Sequence, residues 1–189
     1  PAQNIKELIA LVKANPGKYA YGSAGNGSVQ HMSGELLKAQ AGLFMVHIPY
    51  RGGAPAMADL MAGQIPMYFG SMASATSNLK SGRMRPLAVT SSKRSPAFPN
   101  VPTMMESGLA QFESYEWNAL FAPAGTPTGI TERMAREINK LMQLPDIKER
   151  FAGLSAEAVG STPEVLEQFR RKEIAQWAGV IKRDRKSVV

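Results

Sequence analysis

The chain has 189 residues, a formal net charge of +7, 44% hydrophobic residues and no cysteine. That length suits one domain or one and a fraction. The missing cysteines exclude disulfides and thiolate chemistry, and no apolar run is long enough to cross a membrane. The charge brings nucleic-acid binding into view as a class. Yet Lys and Arg are scattered, the one dense cluster is Lys182-Arg-Asp-Arg-Lys186, and no aromatic ladder accompanies it. A solvated tail is the expectation for that cluster, and a basic balance equally suits a protein that attracts small anions.

The opening Pro-Ala-Gln-Asn shows neither an initiator Met nor a signal peptide, so the chain is expected to be processed or a fragment. Asn4 can cap a first helix with Glu7 in the capping-box position. Ile5, Leu8, Ile9 and Val12 form its apolar stripe, and Asn15-Pro16-Gly17 ends it. Tyr19 to Gly22 reads as a short strand. Ser23-Ala24-Gly25-Asn26-Gly27 then forms a glycine-rich turn, and from Ser28 the spacing becomes helical, with Val29, Met32, Leu36 and Leu37 on one side and Ser28 as N-cap. Such a turn aims backbone N–H groups at one point, and the positive end of the helix dipole adds to the attraction for a carboxylate or phosphate. A plain strand-to-helix connector has the same composition, and the two readings weigh about equally on the turn alone. Nucleotide motifs do not fit. Gly22 and Gly27 have Walker spacing, but Ser28 stands where lysine is needed, and Gly25-x-Gly27 is followed by Gln30 where a third glycine is required.

Gly42 closes the helix. Phe44 to Ile48 is a second strand, Pro49 to Gly53 a second glycine-bearing turn, and Ala54 to Met61 a short helix stopped by Gly63. Ile65 to Phe69 is a third strand, followed by Gly70-Ser71, a helix to Leu79, and a fourth strand from Leu87 to Thr90. Strands and helices alternating at this rhythm imply an α/β fold with a parallel sheet. Ligands gather at the carboxyl ends of such strands. Ser23 to Ser28, Tyr50 to Gly53, Gly70-Ser71 and Thr90 to Ser92 are therefore expected along one edge.

Ser95 to Pro102 is a proline-rich loop before a short helix near Thr103 to Ser107, and Phe112 to Phe121 reads as extended. Pro123 to Pro127 starts a helix carrying Ile130, Met134, Ile138 and Leu141, and Pro145 opens another. Glu157 to Gly160 reads as a small strand. Thr162-Pro163-Glu164 starts a final helix expected to bury Val165, Phe169 and Trp177. Residues 1 to 115 thus form a self-contained α/β domain. Residues 116 to 189 are mainly helical, with too few strands for a sheet of their own, and are expected to need a partner layer or to self-associate over exposed apolar surface.

An enzyme is disfavoured. There is no Gly-x-Ser-x-Gly elbow, and no spacing of His, Asp and Glu gives a metal set. The only histidines are His31 and His47. His31 and Glu35 lie one helical turn apart, a pairing that more often marks a surface contact. Neither cofactor nor metal is expected.

Several motifs occur in order: Gly22-Ser-Ala-Gly-Asn-Gly-Ser28-x-x-His31, His47-Ile-Pro-Tyr-Arg-Gly52-x-Ala-Pro55, Leu87-Ala-Val-Thr90-Ser, Phe98-Pro-Asn-Val-Pro-Thr103 and Ala122-Pro-Ala-Gly-Thr-Pro127. On these the chain resembles the Bug family, the extracytoplasmic solute receptors of tripartite tricarboxylate transporters, from about residue 5 to 181. The resemblance implies a periplasmic-binding-protein (Venus flytrap) fold in the periplasm, closing over a small carboxylate without catalysis and serving the transporter's membrane components, with no nucleic-acid partner. Family members usually carry a further N-terminal domain of roughly a hundred residues. By the resemblance, residues 1 to 115 match the second domain, and the segment from about Trp117 returns to complete the first. This chain by itself is then expected to bind ligand weakly or not at all.

The resemblance makes Ser23, Ala24, Gly25, Asn26, Gly27 and Ser28 the carboxylate-binding loop, with Gly70 and Ser71 beside it and His31 bracing the turn. Gly70 stands where an Asp is common in the family, which implies a ligand without an ammonium group. Tyr50 and Arg51 are expected to serve packing and surface charge. The ligand itself stays open among di- and tricarboxylates, aromatic acids and nicotinate-like acids. The alternatives are a basic anion- or nucleic-acid-binding α/β protein, or a small-molecule enzyme with a nonstandard site.

Overall fold

The computed structural model describes residues 2–187. The chain divides into two compact units, one running to Glu116 and taking in the segment from Val180, the other Trp117–Gly179. The first unit contains α1 (Ile5–Ala14), β1 (Ala20–Ser23), α2 (Val29–Ala41), β2 (Val46–Pro49), α3 (Gly53–Met61) and α4 (Met72–Lys80). The second contains α5 (Thr128–Gln143), α6 (Pro145–Gly153) and the greater part of α7 (Pro163–Ser187).

The helix starts follow their capping chemistry. Asn4 Oδ1 accepts from Glu7 N–H at 2.9 Å, which satisfies one of the donors that an α-helix leaves open, and the Glu7 carboxylate reaches back past the cap to accept from Gln3 N–H at 2.8 Å. Ile5, Leu8 and Val12 are buried as expected, while Ile9 is half-buried. Ser28 caps α2, and Gly42 ends it in a left-handed conformation. The expected helix near Thr103 is a single turn, held by Thr103 N–H to Glu106 Oε2 at 2.7 Å and Glu106 N–H to Thr103 Oγ1 at 3.0 Å.

The sheet is smaller than the alternation implies. β1 and β2 pair in parallel, from Ala20 opposite Val46 to Ser23 opposite Pro49. On the other side of β1 the expected third strand makes one bridge, Gly22 to Tyr68, with Gly22 N–H on Met67 O at 2.9 Å. Leu87 to Thr90 is likewise reduced to a bridge between Val89 and Thr103, and Glu157 to Gly160 forms no strand.

α2 and α3 pack on β1, and Val12 of α1, Tyr21 of β1, Leu37 of α2, and Met45 and Phe112 of the connecting segments are fully buried. α2 is not a one-sided helix: the whole run His31 to Leu37 is buried, and Val29 only half so. In the second unit the apolar stripe of α5 faces outward, with Ile130 55%, Met134 49% and Leu141 48% exposed. Val165 is exposed too, while Phe169 and Trp177 are half-buried. Phe169 meets Trp117 edge-on at 5.4 Å, and both indole N–H groups of this unit donate to Glu173 Oε2, from Trp117 at 3.2 Å and from Trp177 at 3.1 Å. The expected solvated tail is corrected in part. Lys182 and Arg183 are exposed, but Val180 is buried and Asp184 is half-buried; the side chains of Arg185 and Lys186 lie outside the described residues.

Gly34 of α2 lies against the ring of Tyr21 on β1, where an added Cβ would overlap the ring. Gly34→Ala gains up to about 1 kcal/mol of helix propensity. The overlap in a packed core outweighs that, and the variant is expected to be less stable by about 1–3 kcal/mol in a urea titration.

Candidate functional site

The turn between β1 and α2 is built from positive-φ backbone. Gly25 lies at φ 128° and Gly27 at 77°, values that a side chain would strain. Within it the N–H groups divide into two sets. Gly25 N–H donates to Ser23 Oγ at 3.1 Å, Gly27 N–H to His31 Nδ1 at 3.1 Å, Ser28 N–H to Gly25 O at 3.2 Å, and His31 N–H to Ser28 Oγ at 3.2 Å. The N–H groups of Ala24, Asn26, Val29 and Gln30 have no protein acceptor among the described residues. Val29 and Gln30 belong to the open first turn of α2, where the helix dipole favours negative charge, and Ala24 and Asn26 lie in the turn before its cap.

Beside this turn opens a cleft of about 450 Å3. Ala24 and Gln30 bring the turn to it. Gly53, Ala54 and Met57 of α3 supply an apolar wall, Tyr68 comes from the bridged segment after β2, Ser71 and Ser74 from the start of α4, and Glu116 from the extended segment. The carboxyl ends of β1 and β2 and the Gly70-Ser71 corner therefore meet in one cleft, whereas Thr90 to Ser92 are not among its lining residues. Ser92 instead bonds the Tyr115 hydroxyl at 2.6 Å.

The residues singled out from sequence fall into distinct places. Ala24 and Ser71 line the cleft. Gly25, Asn26 and Gly27 make the turn beside it, with Asn26 and Gly27 exposed. Ser28 Oγ donates to Gly25 O at 2.7 Å while capping α2. Ser23 is fully buried, and its Oγ bonds His47 Nε2 at 2.7 Å, so its hydroxyl faces the interior. Gly70 is exposed and lies under the Tyr68 ring, which occupies the space a side chain there would need. His31 is buried, 5% exposed. Tyr50 donates to Asp59 at 2.7 Å, a packing role.

His47, Gln30, Tyr68, Ser74 and Glu116 were not singled out. His47 carried one sequence signal, a polar residue inside an apolar strand. Its ring stacks on His31 at 4.0 Å and on Tyr21 at 4.9 Å. Burial, and then the neighbouring His31, lowers its pKa to about 4. Burial, and then its hydrogen bond to Glu35, raises that of Tyr21, whose hydroxyl donates to Glu35 Oε1 at 2.7 Å. Burial, and then the Glu116 charge, raises that of Tyr68.

His31, Glu35 and Asp184 bring ligand-type atoms within 4.8 Å of one another. Lys38 Nζ sits 2.7 Å from Glu35 Oε1 and already balances that carboxylate, so the group reads as a hydrogen-bonded ionic network.

Ser28→Ala removes the cap of α2 and is expected to cost about 1 kcal/mol of stability in chemical denaturation. His47 has a folded-state pKa below that of the free side chain, so the unfolded chain takes up its proton first. The stability this withholds from the unfolded state is present above pH 6.5 and is lost as the pH falls toward 4. Melting temperatures across that window should drop less for His47→Gln than for the parent.

The model of the "Tripartite tricarboxylate transporter family receptor" family matches residues 1–185. Protein BugT of Bordetella pertussis is 37% identical over 179 residues, covering 95% of this chain and 55% of BugT. A Rhodopseudomonas palustris protein solved with adipate, Rpa4515, superposes with a TM-score of 0.85 at 30% identity, over 96% of this chain and 61% of that one. MatC from Rhodopseudomonas palustris with bound malate superposes with a TM-score of 0.79 at 28% identity, over 96% and 63%. The chain thus spans a little over half the length of BugT and about three-fifths of these solved chains. The ordered motifs, the α/β fold with its small parallel sheet and these likenesses agree: the chain belongs to the tripartite tricarboxylate transporter receptor family and has the fold of a periplasmic binding protein.

Proposed function

We propose that the protein is a solute receptor of the periplasm which binds a small carboxylate in the cleft beside the β1–α2 turn and presents it to the membrane components of a tripartite transporter, without catalysis. The observation that carries this reading is the set of unpaired N–H groups at Ala24, Asn26, Val29 and Gln30 beside a cleft of about 450 Å3. Backbone donors at a helix N-terminus hold an acid group without an added cation. The likeness to proteins solved with adipate and with malate supports a carboxylate as the ligand class. Among the described residues no helix is long and apolar enough to cross a membrane.

Beyond the turn, Ala54 and Met57 suit the carbon chain of such a ligand. Glu116 places an acidic acceptor in the cleft from a different segment than the one where Gly70 lacks it. That arrangement favours a ligand whose far end offers a hydrogen-bond donor and opposes a second carboxylate reaching so far.

Residues up to about 116, with the end of α7, form the ligand-holding domain, and Trp117–Gly179 contributes helices to the receptor's other domain. No side chain of Trp117–Gly179 is buried, which supports a docking role for its apolar face. Closure of the two domains over the ligand is the mechanism, driven by the ligand's higher affinity for the closed form.

An amide-resolved NMR titration with malate and with adipate tests the site. The amide signals of Ala24, Asn26 and Gln30 are expected to move most; signals that stay fixed while others respond would place the ligand elsewhere. Glu116→Gln is expected to tighten adipate binding by roughly fivefold, the effect of about 1 kcal/mol of relieved repulsion at a partly screened site. Unchanged affinity would remove Glu116 from the ligand's reach.

A further inference from the structure

Behind the turn stands a stacked pair of rings, His31 buried and His47 half-buried, that the carboxylate-binding role does not by itself require. His47 and His31 stack at 4.0 Å with their planes 17° apart. His47 Nε2 bonds Ser23 Oγ, at the entry to the turn, at 2.7 Å, and His31 Nδ1 accepts from Gly27 N–H, at its exit, at 3.1 Å. Between these two anchors lie Ala24 and Asn26, two of the free N–H groups. The acceptor role of Nδ1 places the proton of neutral His31 on Nε2, which faces Asp184 of α7 at 3.9 Å.

We propose that the His31–His47 pair is the positioning element of the anion-binding turn, and that the turn keeps its binding shape only while both rings are neutral. This rests on the carboxylate reading above. A proton added at His31 Nδ1 sets a second N–H against that of Gly27, so the bond breaks and the exit of the turn is released. A proton on His47, which is half-buried, adds a charge 4.0 Å from the buried ring of His31. Among the described residues the titratable and charged groups that face the pair are Tyr21 on β1, Glu35 and Lys38 on α2, and Asp184 on α7. Glu35 already accepts from Tyr21 and from Lys38, which weakens its hold on a further positive charge.

The sign of the pH dependence separates this role from simple attraction. Through space, protonated histidines near an anion site would tighten anion binding in acid. A pair that shapes the turn makes binding weaken in acid.

Malate affinity is to be measured from about pH 7.5 to about pH 5 for the parent chain, for His31→Asn, whose Oδ1 can still accept from Gly27 but does not titrate, and for His31→Leu. Ionisation of malate is common to all three, so the ratios isolate the protein. At neutral pH His31→Leu should lose about tenfold in affinity, equivalent to about 1.4 kcal/mol, and His31→Asn should recover most of that loss. Toward acid the parent should weaken at least threefold relative to His31→Asn. A ratio that stays level, or that moves in the parent's favour, overturns the proposal. His47→Phe keeps a ring for stacking but drops the bond to Ser23, and should lose affinity at neutral pH where His47→Gln loses less; equal affinity of His47→Phe and the parent overturns the role of His47.

A second readout needs no ligand. The Gly27 amide signal should follow the ring signals of His31 through their pH titration in the parent, and should stay still in His31→Asn. A Gly27 signal indifferent to that titration overturns the proposal even where malate binds. Absence of malate binding to the parent, with Gly27 tracking the ring, rules out malate as the ligand of this chain and leaves the positioning role of the pair standing.

Discussion

How closely α2 lies over β1 controls everything at the cleft. Gly34 leaves room for the Tyr21 ring to lie against the helix backbone, and Tyr21 OH then reaches Glu35 Oε1 at 2.7 Å. A larger residue at position 34 would lift α2 and carry its first turn away with it. The turn, its free N–H groups and the histidines beneath it are all referenced to that contact, because protein cores are too densely packed to absorb the displacement of a helix.

The same contact explains why a polar cluster can be buried here. Tyr21, His31, Glu35, Lys38 and His47 occupy the space between strand and helix. Each makes a hydrogen bond or ion pair within it, or with the turn, and no buried side-chain polar atom lacks a partner among the described residues. A satisfied network of this kind rigidifies its surroundings. The hydroxyl of Ser23 and the imidazole of His31 consequently act from behind the turn, while backbone N–H groups and Ala24 face outward. Loop residues of one short motif thus take opposite duties, some holding the loop and some presenting its donors.

In the second unit periodicity and burial diverge. α5 has the apolar period of a buried helix, yet Ile130, Met134 and Leu141 stand about half exposed. Periodicity reports which face a helix would bury, and cannot supply the surface that buries it.

The elements that local chemistry specifies were legible in the residues alone. Asn4 with Glu7, Ser28 with the following apolar spacing, Gly42, and Thr162-Pro163-Glu164 marked helix ends that depend only on neighbours in the chain. The ordered motifs carried the family, because they record a particular succession of turns. What tertiary structure decided was everything that needs a distant partner. Ile65 to Phe69 and Leu87 to Thr90 had strand composition but only one bridge each, since pairing depends on donors across the sheet. His47 was invisible as a partner of Ser23 and His31, because register places it opposite Tyr21 and no spacing within the sequence states that register. Asp184 had the look of a tail residue until α7 brought it beside His31. Local hydrogen bonds and caps are written in a few adjacent residues, whereas burial and cross-chain pairing exist only once the chain has folded back on itself.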